Sequence, residues 1–271
     1  MQPLVLLAVN IADWSSKELE RGIPCLPAEE QQRVRRYRFE VDRCRSLASQ
    51  LLRRYLFVKH SKIPWEQLAF ETSEFGKPRL ANEGFEDIDF NVSHHGDWVV
   101  LAACSQGKIG IDVTTRDIPS GSIQDFINCF NSQLADDEIQ VLRKIEDMRR
   151  KLWLFYEIWC LKESYIKALG LGLHKDLKYV SFVSSKDDLT ALRKVQVHDL
   201  QAPGNDPVYT FHLSYLDSQH PVAMCTNTDL SDAEDLLEST SLEVDQRQSN
   251  NPLTDTSFTK ITLDEILQCT D

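Results

Sequence analysis

Glu163 and Lys167 stand four residues apart in the segment Trp159-Cys160-Leu161-Lys162-Glu163-Ser164-Tyr165-Ile166-Lys167. A carboxylate can hold a cation or take a proton, and an ammonium can hold a phosphate; on one helical face the two can also simply pair. Their surroundings sharpen the question. Leu152, Phe155, Tyr156, Trp159, Ile166 and Leu169 recur at helical spacing, and Ile158, Leu161 and Tyr165 widen the apolar surface. Residues 151–169 therefore read as a buried helix that stops at Gly170. Ionised groups on such a helix need a partner, a metal or a ligand. From this helix alone a structural ion pair, worth about 0.3–0.5 kcal/mol where exposed, and a ligand site are equally open.

Three further pieces carry polar chemistry. Gly76-Lys77-Pro78 is a turn that presents an ammonium, with Thr72 and Ser73 before it; alone it reads as an ordinary surface turn. Phe90-Asn91-Val92-Ser93-His94-His95-Gly96 is a strand end with small hydrogen-bonding groups and imidazoles. Neighbouring strand residues point to opposite faces, so Ser93 and His94 do not read as a nucleophile and its base. Ile109-Gly110-Ile111-Asp112 ends an apolar strand on a carboxylate, after a glycine that lets the backbone approach a ligand. Magnesium takes one or two protein carboxylates and completes its shell with water and phosphate oxygens, so Asp112 with Glu163 suffices. Lys77, His94 and Lys167 remain to neutralise a polyanion.

The elements that would position these groups are legible in outline. Leu4–Ile11 reads as a strand, Pro27–Lys59 as a long helix, and Asp87–Cys104 as strand, turn and strand, followed by a strand at Ile109–Val113. Helices around Ser122–Phe130 and Asp136–Glu146 precede the Trp159 helix, and strands follow at Tyr179–Val183, Val195–Val197, Val208–Tyr215 and Pro221–Cys225. Both halves end in a hairpin, which suggests an α/β (α+β) pair of similar subdomains, 1–108 and 109–226, although no residue-level repeat is evident.

Composition narrows the class of function. The 271 residues carry a net charge of -12, yet Asn227–Asp271 holds 11 acidic residues against Arg247 and Lys260, leaving the rest near neutral. No basic stripe suggests nucleic acid, and no apolar run approaches the roughly 20 residues that span a bilayer. Seven cysteines without a Cys-x-x-Cys pair speak against a disulfide framework or a zinc site and favour a reducing, cytosolic setting. Residues 227–271 are expected to be a disordered acidic tail. Within it, Ile261–Cys269 is roughly amphipathic, a docking helix or, as the stronger expectation, a transient one.

Read together, Gly-Lys-Pro, Asn-Val-Ser-His, Ile-Gly-Ile-Asp and Trp-Cys-Leu-Lys-Glu-Ser-Tyr-Ile-Lys occur in the order found in Sfp-type 4′-phosphopantetheinyl transferases. The first 225 or so residues resemble that family, most of all its eukaryotic aminoadipate-semialdehyde dehydrogenase class, which Ile63-Pro64-Trp65 and Trp153-Leu154-Phe155-Tyr156 also resemble. The resemblance implies a pseudo-two-fold fold with coenzyme A between the subdomains. It implies transfer of the phosphopantetheine arm to a serine of an apo acyl or peptidyl carrier domain, with adenosine 3′,5′-bisphosphate released. Fatty-acid synthase and aminoadipate-handling enzymes are the implied partners of a cytosolic monomer. By position, Asp112 and Glu163 would hold Mg2+, while Glu163 would take the serine proton and Lys167 would assist. Coenzyme A contacts are implied at a basic anchor near the start of the long helix, for which Arg43 and Arg45 are the candidates, at Thr72-Ser73-Glu74-Phe75-Gly76-Lys77, at Asn91-Val92-Ser93-His94, and at Asp112, Glu163 and Lys167.

Two positions depart from the family pattern. Thr114 stands where bacterial members commonly carry a third carboxylate, and His95 where a glutamine is more familiar. Thr114 invites a second reading, a coenzyme A-binding regulatory protein without turnover. A nucleotide phosphotransferase of another kind lacks its Gly-x-x-x-x-Gly-Lys-Ser/Thr loop. The basic run Arg33–Arg38 is open to two readings, a docking face for an acidic carrier helix or a solvated surface.

Overall fold

The computed structural model describes residues 4–170, 172, 176–182, 209–228 and 258–270. In chain order its elements are β1 (Leu4–Asn10), α1 (Ser16–Gly22), α2 (Ala28–Arg35), α3 (Glu40–Ser61), β2 (Phe70–Thr72), β3 (Pro78–Leu80), β4 (Ile88–His95) and β5 (Trp98–Ser105). There follow β6 (Ile109–Val113), α4 (Ile123–Asn128), α5 (Asp136–Lys144), α6 (Met148–Leu169), β7 (Thr210–Asp217), β8 (His220–Thr226), β9 (Thr259–Lys260) and a short helix α7 (Leu263–Leu267). Among the described residues no helix is long and apolar enough to cross a membrane.

Two halves share one plan. In the first, β1 leads through helices to the 22-residue α3, and the β4–β5 hairpin returns so that β5 pairs antiparallel with both β4 and β1. In the second, β6 leads through helices to the 22-residue α6, and the β7–β8 hairpin returns so that β8 pairs antiparallel with both β7 and β6. This is the α+β pseudo-two-fold pair expected from the sequence.

Strand alternation explains the layering. Val5, Leu7 and Val9 of β1 face α3, whereas Leu4, Leu6 and Ala8 join Ile109, Ile111, Val113, Val222 and Met224 in a core between the two sheets. On β6, Ile111 and Val113 point into that core, so Asp112 points the other way, toward α6. Gly110 permits the approach: a Cβ there would lie 2.1 Å from the Ser164 carbonyl oxygen and 2.3 Å from the Ala168 nitrogen. The glycine thus admits α6 itself, not a ligand as its position in the sequence suggested.

A hydrogen-bonded seam joins the halves along the free edge of β6. Asp89, Asn91 and Ser93 lie on one face of β4. Asp89 Oδ2 accepts from the Ile109 nitrogen at 2.8 Å, Asn91 Oδ1 accepts from the Ile111 nitrogen at 3.1 Å, and Ser93 Oγ donates to Asp112 Oδ1 at 2.8 Å.

The structure corrects three expectations. Pro27–Lys59 is two helices, not one. The chain turns at 36–39 so that α2 folds back on α3, and Glu30 of α2 meets Arg53 and Arg54 of α3 at 2.7 Å and 3.0 Å. The expected strand at Tyr179–Val183 is absent through Phe182; a single 3-10 turn spans Leu177–Tyr179 instead. Its backbone groups serve side chains rather than a ladder: Lys162 Nζ donates to the carbonyls of Leu177 and Val180, and Glu138 Oε1 accepts from the Phe182 nitrogen. Val183 and the strand expected at Val195–Val197 lie outside the described residues, as does 229–257 of the expected tail.

The end of that tail departs from disorder. β9 pairs in parallel with β1, and α7 packs on the first half, with Ile266 fully buried and Ile261 and Leu263 each 5% exposed. Thr262 caps the helix, its Oγ1 accepting from the Glu265 nitrogen while Glu265 Oε2 accepts from the Thr262 nitrogen. Arg21 of α1 pairs with Asp264. Tertiary burial, which no local pattern reveals, turns a marginal helix into a fixed one.

Candidate active site

A cavity of about 340 Å³ opens between the halves. Ser93, His94 and His95 of β4 line one side, and Asp112 and Thr114 of the β6 end, with Glu163 and Lys167 of α6, line the other. The two helical residues are not paired with each other. Lys167 Nζ donates to Asp112 Oδ1 at 2.6 Å and to Ser93 Oγ at 2.8 Å, and Ser93 Oγ donates to the same Asp112 oxygen, closing a triangle across the seam. An ammonium has three donors, so one remains for a ligand.

Glu163 is half-buried, and among the described residues it makes no hydrogen bond. Burial holds its carboxyl above the usual range, the Asp112 carboxylate adds to the rise, and Lys167 opposes it. Two carboxylates that repel each other at the wall of a cavity, one without a donor, are a donor set suited to a hard divalent cation. Among the described residues no three acidic, histidine or cysteine side chains cluster as a ready-made metal cage. A cation here would rest on two protein carboxylates, with water and ligand oxygens supplying the rest.

The histidines differ in role. Burial, then Arg45, then Lys167 push the His94 imidazole below its ordinary value, so at neutral pH it offers hydrogen bonds rather than a charge. The sequence expectation of His94 as a charge-neutralising group is therefore narrowed to the moment when an anion is present. His95 is also lowered, first by burial, and its Nδ1 lies 3.3 Å from Thr114 Oγ1. The position lacking a third carboxylate thus holds a hydroxyl–imidazole pair. The turn that follows is fixed on both sides. Gly96 has φ +54, a Cβ on it would lie 2.3 Å from His220 Nε2, and its carbonyl accepts from Arg45 Nε and Nη2 at 3.0 Å and 2.8 Å.

Other residues named from the sequence are spread over the seam, the cavity wall and the β2–β3 tip. Asn91 is buried in the seam, and Val92 lines the cavity. Arg43 is not part of the wall; its Nη2 lies 4.0 Å from Glu40, and Arg45 is the arginine that reaches the histidine turn. Thr72, Ser73, Glu74, Phe75, Gly76 and Lys77 form the tip of the β2–β3 hairpin, where the Ser73 nitrogen donates to the Lys77 carbonyl and the Lys77 nitrogen donates to Ser73 Oγ. This tip sits at the end of α6, since a Cβ on Gly170 would come within 3.6 Å of Lys77 Cδ. Lys77 Nζ donates to Asp89 Oδ2 at 2.6 Å and to the Ile109 carbonyl at 2.8 Å. Burial lowers its pKa and Asp89 opposes the fall. Charged groups therefore follow α6 from Glu163 to Gly170, about 10 Å at 1.5 Å per residue.

Sequence reasoning missed Asp89, which anchors Lys77, and the fully buried pair of Lys162 with Glu138 at 2.8 Å. The available signal was Lys162 itself, a lysine at a core-facing position of an apolar helix.

Comparison with known proteins agrees with this geometry. Residues 12–106 match the family model described as 4′-phosphopantetheinyl transferase, N-terminal, and residues 108–225 match the 4′-phosphopantetheinyl transferase superfamily. The chain is 30% identical to the L-aminoadipate-semialdehyde dehydrogenase-phosphopantetheinyl transferase of Xenopus laevis, over 90% of this chain and 78% of that protein. It is 31% identical to a phosphopantetheinyl transferase of Thraustochytrium, over 84% of this chain and 80% of that one. A 4′-phosphopantetheinyl transferase of Bacillus pumilus is 30% identical over 78% of this chain and 82% of its own length.

Proposed function

The chain belongs to the 4′-phosphopantetheinyl transferase superfamily, and from that premise we propose how its residues move the phosphopantetheine arm of coenzyme A to a carrier serine. One observation carries the reading: Asp112, Glu163 and Lys167 of the second half and Ser93 and His94 of the first meet at a single cavity. Coenzyme A spans the seam, its diphosphate beside Asp112 and Lys167. His94 takes the 3′-phosphate; Lys77, bound to Asp89 five β4 residues away, about 16 Å at 3.3 Å per residue, is too distant to share it.

Glu163 accepts the proton of the carrier serine as its oxygen bonds to the phosphorus that bears pantetheine. The bond from that phosphorus to the bridging oxygen breaks, and adenosine 3′,5′-bisphosphate leaves with the electron pair. The raised Glu163 carboxyl suits a general base, which typically contributes 10²–10⁴-fold. Lys167 offers its remaining donor to the diphosphate where charge accumulates. Asp112 and Glu163 would hold a magnesium ion, which would supply further neutralisation of that charge. No cysteine is needed as nucleophile: all seven are free thiols, and none lines the cavity.

The reading extends to carrier domains of fatty-acid synthase and aminoadipate-handling enzymes, the latter supported by the names of the Xenopus and human relatives. A coenzyme A-binding protein without turnover finds no support, because each group that the chemistry needs faces the cavity. Purified protein with coenzyme A, magnesium and an apo acyl carrier protein is expected to add one phosphopantetheine mass per carrier. Chelation should suppress the gain. A carrier left unmodified at saturating magnesium would sink the assignment.

A further inference from the structure

Among the described residues six large apolar side chains are exposed, and three of them, Tyr37 at 39%, Phe39 at 61% and Val41 at 42%, fall within five residues at the α2–α3 link. Their concentration in one link separates them from scattered surface hydrophobes. Arginines interleave them: Arg36 stands 5.5 Å over the Tyr37 ring and Arg38 stands 5.6 Å over Phe39.

The charge here is in surplus. Every acidic residue from Glu29 to Asp42 has an arginine partner: Glu29 has Arg33, Glu30 has Arg53 and Arg54, Glu40 has Arg43, and Asp42 has Arg45. Arg35, Arg36 and Arg38 have no carboxylate within ion-pair distance among the described residues. The result is an exposed surface of three uncompensated cations around three apolar side chains.

The patch also lies at the cavity's edge. Phe39 is the N-cap of α3, and Arg45 of the same helix holds the Gly96 carbonyl. The axial separation is about 9 Å at 1.5 Å per residue. The charges of Arg45 and Asp42 reach His94, a cavity-lining residue. A protein seated on 35–41 would lie near the histidine turn that forms one wall of the cavity.

We propose that residues 35–41 form the docking face for the apo carrier domain, which they recognise through a carboxylate-bearing helix that also offers apolar contact. This rests on the transferase reading. Charge complementarity of this kind raises association rate and weakens with salt. Residues 36–39 are a link between two helices, so the patch presents no amphipathic helix face of the kind that lies on a membrane.

The test compares the full chain with two variants, Arg35→Glu/Arg36→Glu/Arg38→Glu and Phe39→Ser, in steady-state transfer to an apo acyl carrier protein. Each variant is expected to raise the carrier KM, the triple one by about tenfold or more, with kcat and the calorimetric Kd for coenzyme A unchanged. The wild-type carrier KM should climb with added salt, and that of the triple variant should stay flat. An unmoved carrier KM overturns the proposal. So does a loss of coenzyme A affinity in its place, or capture by phosphatidylserine vesicles that the triple variant abolishes while carrier KM stays fixed. Wild-type turnover with an unmoved KM refutes docking alone, whereas wild-type protein that never modifies the carrier refutes the transferase reading along with it.

Discussion

The two halves repeat a scaffold and divide the chemistry. Arg54 stands as far into α3 as Lys162 stands into α6, and Glu30 as far into α2 as Glu138 into α5. In each half the short helix sends that carboxylate to the buried cation of the long one. The repeat that was invisible residue by residue is therefore a repeated interaction, with guanidinium in one copy and ammonium in the other. One residue further along, the halves part: Glu163 of the second corresponds to Tyr55 of the first. Pseudosymmetry here conserves what holds a long helix in place and leaves the next position free for catalysis.

The sharpest break in the comparison is between those two positions. Glu163→Gln should lower kcat of carrier modification by about 10²–10⁴-fold, while Tyr55→Phe leaves it near wild type. Mass analysis of the carrier after a single turnover decides the matter, and equal losses would remove the asymmetry. The shared clamps come next. Lys162→Met strands the buried Glu138 carboxylate and should cost about 3–5 kcal/mol in urea unfolding, whereas Arg54→Met leaves Glu30 its ion pair with Arg53 and should cost less. Combining Lys162→Met with Glu138→Gln should recover part of the loss, and a fully additive pair would show that the clamp is not a coupled unit.

A smaller effect should confine itself to one half. Ile266→Ala removes a fully buried side chain from the first half's core and should cost about 2–5 kcal/mol. Hydrogen exchange should quicken in β1 and α3 and leave α6 protected. The smallest effect concerns His94, which the first half contributes. Free His94 titrates below 6.5, and a bound phosphate raises it by favouring the cation. Between the free and bound values, binding takes up a proton, so coenzyme A affinity should strengthen as pH falls through the bound-state value and level off below the free one. Calorimetry in buffers of different ionisation enthalpy should detect less than one proton taken up, and His94→Asn should abolish it.

Much of this was legible in the sequence. The spacing of Leu152, Phe155 and Trp159 gave away α6, apolar runs and a turn signal gave away β1 and the β4–β5 hairpin, and the four motifs named the residues that meet at the cavity. What stayed hidden depended on partners distant in sequence. Nothing local says that Lys167 pairs with Asp112 rather than Glu163, since both lie within reach of a flexible ammonium until the fold places them. The break between α2 and α3 follows from Glu30 seeking Arg53 and Arg54. The 177–182 segment forgoes a ladder because Lys162 and Glu138 claim its backbone. Likewise the amphipathic stretch at 261–269 becomes a fixed element only because β1 and α3 leave an apolar surface for it.

That last contact has a consequence for how the polypeptide is made. β1 leaves the ribosome well before β9, which pairs with it and follows the whole second half in the chain. At roughly 5–20 residues per second, the half that emerges first waits on the order of tens of seconds with one strand edge bare and part of its core uncovered. Its completion waits until the whole second half has been made, so the half that is begun first is the half that is finished last.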